Sequence, residues 1–229
     1  MVLISTALWA LVNQPAMVPH IVAPEPWSNP ANPATPVQQG EASLATVTLE
    51  TLPVKGRAPK TGYNRAHFGD GWQLVAGCDT RNRILQRDML DVVLSDECKV
   101  ISGTISDPYT GQMIHFMRGA QTSALVQIDH VVALSNAWQT GAQNITEIQR
   151  IALANDPLEL LAVDGDANQQ KSDGDAATWL PANKAFRCQY VARQIAVKSR
   201  YGLWVTPAEK TAMQTVLAKC PEQILPTEK

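Results

Sequence analysis

A chain of 229 residues with 45% hydrophobic and 17% charged residues is too apolar for a disordered tail and too polar for a polytopic membrane protein, and its length fits one or two domains. Nineteen Lys and Arg against 21 Asp and Glu leave a formal net charge of -2, so bulk charge marks the chain neither for nucleic acid nor for an anionic membrane. Any such partner has to be read from a local site.

Charge and proline are unevenly spread. Residues 1–54 carry no Lys or Arg and hold eight of the 15 prolines. Met1 to Val12 form an apolar run of signal-peptide length without the basic residues that usually precede one, so residues 1–22 read as a signal peptide or an apolar N-terminal segment. A buried amphipathic helix is the alternative. Residues 23–54 read as a Pro-rich disordered linker and residues 55–222 as the folded domain.

Within that domain, residues 81–94 place Ile84, Leu85, Met89 and Val92 or Val93 at helical spacing. Residues 99–105 and 113–117 are strand candidates around Asp107-Pro-Tyr-Thr-Gly111, which reads as the turn of a hairpin. A strand with a polar end follows at 124–131, then a short helix at 132–140 closed by Gly141, and a second helix at 144–155 capped by Thr146 or Asn144. Residues 158–163 form a further strand, and 166–173 a helix too polar for a core element. Residues 182–200 and 207–220 read as two amphipathic helices; the second opens on Thr206-Pro-Ala-Glu209, a capping box with proline at the first helical position.

Four cysteines, Cys78, Cys98, Cys188 and Cys220, lack the Cys-x-x-Cys spacing of zinc or redox motifs, which favours disulfides. Three pairings are open. Joining neighbours, Cys78 with Cys98 and Cys188 with Cys220, closes modest loops that each stabilise by roughly 3 kcal/mol; four reduced, buried thiols are the cytosolic alternative. Lys184, Arg187, Arg193, Lys198 and Arg200 follow one another with no acid between them. This stretch is a phosphate-binding face or a solvated helix face with equal weight, and Lys184, Arg187 and Arg193 are its candidate substrate contacts. Trp138, Trp179 and Trp204 read as core anchors, and Asp164, Asp166, Asp173 and Asp175 as turn and cap residues.

Asp129-His130 ends one strand, and Asn168 with Lys171 opens the polar helix after the next. A carboxylate and an amide oxygen are hard ligands suited to Mg²⁺, Mn²⁺ or Ca²⁺, and a neutral histidine beside them can take a proton from water near pH 7. These residues resemble the ββα-metal, or His-Me finger, HNH endonucleases, in the branch of the GmrSD-type restriction endonuclease C-terminal domain and its secreted single-domain relatives. Further phrases carry the likeness: Arg81-Asn-Arg83, Ile128-Asp-His-Val-Val-Ala-Leu134, Ala137-Trp138, Asn155-Asp-Pro157, Asn168-Gln-Gln-Lys171, Thr178-Trp-Leu-Pro181 and Tyr201-Gly202.

The resemblance implies an α+β fold with a ββα-metal core, added helices and a β-hairpin. It makes His130 the general base, Asp129 and Asn168 ligands of one divalent metal with Mg²⁺ foremost, and Lys171 a phosphate contact. The substrate is nucleic acid, DNA ahead of RNA, cut with low sequence specificity to leave a 5′-phosphate and a 3′-hydroxyl; the protein is secreted, without stable membrane insertion. One position departs from the pattern: the family's loop-bracing asparagine is replaced by Glu159, which can accept backbone N–H bonds or mark a weakened enzyme. The alternative is therefore an inactive extracellular binding domain of the same fold. A geometric condition also applies, because successive residues of a regular strand face opposite ways, so Asp129 and His130 share a site only if the strand ends or bulges there.

Overall fold

The computed structural model describes residues 43–96 and 98–226; the signal-peptide reading and the linker up to residue 42 lie outside them. Helix α1 (Ala45–Thr51) falls inside the stretch that composition assigns to a linker. Ala45 and Leu49 turn inward and are fully buried, and the segment is tied down by Ala45 N–H to the Gln223 carbonyl (2.8 Å) and by bridges Leu44–Ile224 and Val54–Val205. Burial of two apolar side chains and pairing with the chain's end outweigh the proline-rich composition around them.

A 3₁₀ turn (Arg65–Phe68) leads to a ribbon of β1 (Leu74–Val75) and β2 (Cys78–Asp79), then to α2 (Thr80–Asp88), whose N-cap Asp79 accepts from Asn82 N–H at 2.7 Å. The helix stops at Asp88, six residues short of the spacing-based expectation, and Leu90–Ser95 form strand β3. Apolar spacing cannot separate a helix from an irregular edge strand over so short a run. Here pairing with β4 decides it, through a shifted register between Leu90 and Val93 and with Asp91 at φ 51°.

Strands β4 (Lys99–Ser106) and β5 (Met113–Met117) form the expected hairpin and complete the sheet β3-β4-β5. At its turn, Asp107 takes Thr110 N–H on one oxygen (2.6 Å) and Asp164 N–H on the other (2.8 Å), which pins the turn to the second hairpin. That hairpin pairs β6 (Val126–His130) with β7 (Leu160–Asp164), separated in sequence by α3 (Leu134–Gln139) and α4 (Glu147–Asn155). Helix α5 (Gly165–Lys171) follows β7 directly, and α6 (Arg187–Arg200) and α7 (Pro207–Leu217) close the fold. Capping boxes open α4 (Thr146 with Gln149) and α7 (Thr206 with Glu209).

The architecture is mixed α and β with small antiparallel sheets, and β6–β7 divides its core. Leu161 and Val163 join α1, α6 and α7 on one side, while Leu160 and Ala162 join α2 and β4 on the other. Disulfides Cys78–Cys98 and Cys188–Cys220 tie the first ribbon to the β3–β4 hairpin and the start of α6 to the chain after α7. Among the described residues no helix is long and apolar enough to cross a membrane.

Candidate active site at the end of the β6–β7 hairpin

Residue pairing from Val126–Asp164 to His130–Leu160 is unbroken. Gln127 and Asp129 therefore face α5, whereas Ile128 and His130 face the opposite way. The irregularity needed to bring Asp129 and His130 onto one site does not occur within β6.

On the Asp129 side, α5 docks closely because position 165 is glycine: a Cβ there would lie 2.1 Å from the Ala124 carbonyl oxygen. The i, i+3 face of α5 then meets the i, i+2 face of β6. Asn168 Nδ2 donates to Gln127 Oε1 at 2.9 Å, and Lys171 Nζ donates to Asp129 Oδ1 at 3.0 Å and to the His130 carbonyl at 2.8 Å. The Tyr109 hydroxyl donates to the other Asp129 oxygen. Asp129 and Lys171 are 5% and 1% exposed, so Lys171 is held inside the fold rather than presented to a phosphate. Burial raises the Asp129 carboxyl above its ordinary range, against the opposing pull of Lys171 and Tyr109.

On the other side, His130 sits beneath a cleft of about 60 Å³ that also touches Arg65, Gly69, Gly71 and Trp72. The Trp72 ring stacks on the imidazole, centroids 5.7 Å apart and planes 10° from parallel. His130 Nε2 lies 3.0 Å from the Ala154 carbonyl, which is in the last turn of α4 and has no helical partner to give. A carbonyl only accepts, so Nε2 carries the proton and Nδ1 keeps the lone pair. Burial pushes the imidazole down to about 3, with smaller contributions from the Arg65 and Lys171 charges, so the ring is neutral at physiological pH. Neither Asp129 nor Asn168 lines this cleft.

The loop after α4 is built to hold that carbonyl. Pro157 disfavours helical geometry at Asp156 and ends the helix. Asp156 then accepts from Leu158 N–H (2.8 Å), Arg200 (3.0 Å) and the Tyr201 hydroxyl (2.8 Å), while the Pro157 carbonyl takes Arg87 (2.7 Å) and Arg193 (3.3 Å). Asn155 Oδ1 accepts from Gln73 N–H at 2.9 Å and fixes the residue next to Trp72.

Glu159 is fully buried and receives Val132 N–H at 3.1 Å, two residues beyond His130, while its own carbonyl receives Val131 N–H at 2.9 Å. Its second carboxyl oxygen has no partner among the described residues, and burial pushes its pKa well above the ordinary range. The residue in the bracing position thus makes a bracing contact.

The basic stretch does not form one cationic face. Lys184 is exposed, Arg187 donates to the Pro181 carbonyl at 2.7 Å, and Arg193 to the Pro157 and Leu158 carbonyls. Lys198 is buried against Glu209 at 3.0 Å, and Arg200 pairs with Asp156. Along α2, Arg81 donates to the Val126 carbonyl and Arg87 pairs with Asp88. A second, larger cleft, about 470 Å³ and lined by Arg87, Phe186, Arg193 and Leu225, contains neither His130 nor Asp129. Asp164 caps α5 and Asp175 accepts Ala177 N–H at 3.0 Å in a turn while pairing with Arg57, whereas Asp173 pairs with Lys60 in a tertiary contact rather than a turn or cap.

Arg65 and Trp72 are the residues that sequence reading missed. Arg65 is exposed, and its side chain makes no hydrogen bond or ion pair among the described residues. Their only sequence signal is the run Asn64-Arg-Ala-His-Phe-Gly-Asp-Gly-Trp72, whose glycines mark a turn without naming its partner.

Comparison with known families points to a nuclease-related domain. The family described as GmrSD restriction endonucleases, C-terminal domain, matches residues 79–216, and the chain belongs to it. A protein of Arthroderma benhamiae described as an uncharacterized secreted protein is 39% identical over 197 residues, covering 84% of this chain and 93% of its own. No solved structure matches. The family match includes Asp129, His130, Glu159, Asn168 and Lys171 and begins after Arg65 and Trp72.

Proposed function

We propose that this protein is a secreted endonuclease that hydrolyses phosphodiester bonds of nucleic acid, DNA ahead of RNA, with His130 as general base. The observation that carries this reading is the hydrogen bond from His130 Nε2–H to the Ala154 carbonyl. It fixes the tautomer whose Nδ1 can accept a proton from water, on a ring that is neutral before substrate arrives. A phosphate anion in the adjoining cleft opposes the burial that depresses the imidazole and draws its pKa back toward the working range. The order β6, β7, α5 supports a ββα unit, with α3 and α4 as an insertion between its strands. Secretion is supported by the description of the Arthroderma benhamiae relative and by the two disulfides.

A divalent metal, Mg²⁺ before Mn²⁺ or Ca²⁺, would supply Lewis-acid stabilisation of the phosphate and the leaving oxygen. The ligand pair named by the resemblance does not fit it as arranged. Both Asp129 oxygens already accept from Lys171 and Tyr109, and the ammonium at 3.0 Å repels a second cation. The Asn168 amide oxygen has no partner among the described residues, but the side chain is committed through Nδ2 to Gln127 Oε1. Among the described residues no group of three His, Cys, Asp or Glu could hold a metal ion. Asp129 is accordingly read as a positioning residue, held by Lys171, which also fixes the His130 carbonyl.

The test is direct. Purified protein is incubated with plasmid DNA, single-stranded DNA and RNA, with Mg²⁺, with Mn²⁺ or with EDTA. Fragmentation of any substrate supports the reading, and intact substrate under every condition with folded protein contradicts it.

A further inference from the structure

We infer that the loop from Arg65 to Trp72, together with His130, forms a binding site for a single phosphate group, which the phosphodiester occupies while its bases stay outside. This deepens the nuclease reading and rests on it only for identifying that phosphate with substrate. The loop lies wholly before the residues matched by the family.

Four observations support the site. The cleft measures about 60 Å³, room for about four waters at the ~15 Å³ that each requires. That suits a phosphoryl group and its oxygens, and is too small for a nucleobase. Arg65 lines it with a guanidinium that has no partner among the described residues, and five N–H donors in a planar fork match phosphate oxygens. Arg65 and His130 both line this cleft, so the two groups address the same space.

The backbone adds donors. Gly69 and Gly71 have φ values of 96° and 122°, a conformation that side chains with a Cβ rarely adopt. The backbone N–H groups of Asp70, Gly71 and Trp72 make no hydrogen bond among the described residues, and unpaired amides in a glycine loop attract anions. At Gly71 a Cβ would meet nothing within 4 Å, so the approach is open.

The loop is also preorganised, which lowers the cost of binding. Arg150 Nε holds the His67 carbonyl at 3.0 Å, Asn155 holds Gln73 N–H, and Trp72 stacks on His130. Phe68 and Leu134 give the cleft an apolar floor that strengthens the interactions made above it. Asp70 is the one acid in the loop; it is exposed and does not line the cleft. Contacts are thus offered to the phosphate and none to a base, which accounts for low sequence specificity.

The test uses inorganic phosphate as probe and the His130 ring resonances as readout, in the full-length protein. Phosphate is expected to shift these signals saturably. Arg65→Ala should raise Kd about tenfold or more with an unchanged melting temperature, Arg65→Lys should lie between, and Asp70→Asn should lower Kd. Unmoved His130 signals, or equal Kd in wild type and Arg65→Ala, would overturn the site. Phosphate binding needs no turnover, so a protein that binds it through Arg65 and cleaves nothing keeps the site and loses the nuclease reading. Cleavage that is indifferent to Arg65→Ala does the reverse.

Discussion

Lys171 and Asp129 form an ion pair sealed from solvent, Nζ to Oδ1 at 3.0 Å, with the Tyr109 hydroxyl on the remaining carboxyl oxygen. A buried pair of this kind stabilises little relative to apolar side chains, yet removing one partner strands the other. Asp129→Asn and Lys171→Met are each expected to cost about 3–5 kcal/mol. The double variant should cost clearly less than their sum. Urea unfolding of all four proteins measures the coupling, and additive losses would show that the two charges do not depend on each other.

Glu159 carries a different charge problem. Its raised pKa means that its carboxyl contributes stability below the ordinary value of 4.5 and loses it as pH rises through the folded-state value. Glutamine keeps an acceptor for Val132 N–H and cannot ionise. Glu159→Gln should therefore melt near wild type at about pH 5 and above it at about pH 9. A variant that melts lower at both pH values would mean that the acid itself is required.

His130 gives an opposite slope. Its pKa is pushed down from 6.5 to about 3 in the fold, so the unfolded chain takes up the proton first on acidification. The stability tied to the neutral ring is complete above about 6.5 and is lost toward about 3, by about 1.4 kcal/mol per pH unit. His130→Gln removes this term. The stability difference between wild type and His130→Gln should shift against wild type as pH falls across that window, and a constant difference would refute the buried neutral imidazole.

Arg193 and Lys184 separate scaffold from substrate contact within the basic stretch. Arg193 holds the Pro157 and Leu158 carbonyls at 3.3 and 2.8 Å, three and four residues past the carbonyl that orients His130. Arg193→Ala should cost about 1–3 kcal/mol of stability and lower kcat with an unchanged salt dependence of substrate binding. Lys184→Ala should leave stability within about 0.5 kcal/mol of wild type. A reduced salt slope in Arg193→Ala would return it to the substrate contacts.

Local signals were readable in the sequence. The capping box Thr206–Glu209, the hairpin turn at Asp107 and the strand ending on His130 each depend on neighbours within a few positions. Tertiary competition was not readable. The apolar spacing of residues 81–94 could not reveal that Val93 and Leu94 pair with β4, and composition could not reveal that α1 packs into the core. The same limit governs the site. Asp129, His130, Asn168 and Lys171 stand out as a set, yet which face of β6 each occupies depends on an unbroken register with β7. Arg65 and Trp72 reach His130 from more than 50 positions earlier, and nothing in their local pattern names the histidine. Likewise, a run of cations gives no sign that Arg193 and Lys198 are committed to carbonyls and to Glu209.

Comparison of nucleic-acid cleavage by wild type and His130→Gln tests the proposed role of His130 most directly. A glutamine amide can donate to the Ala154 carbonyl as Nε2–H does, and it offers no basic nitrogen in place of Nδ1. The expected result is a folded protein, with a melting temperature close to wild type at neutral pH, whose cleavage rate falls by about 100-fold or more. A glutamine variant that cleaves within a few-fold of wild type would contradict the assignment of His130 as the general base.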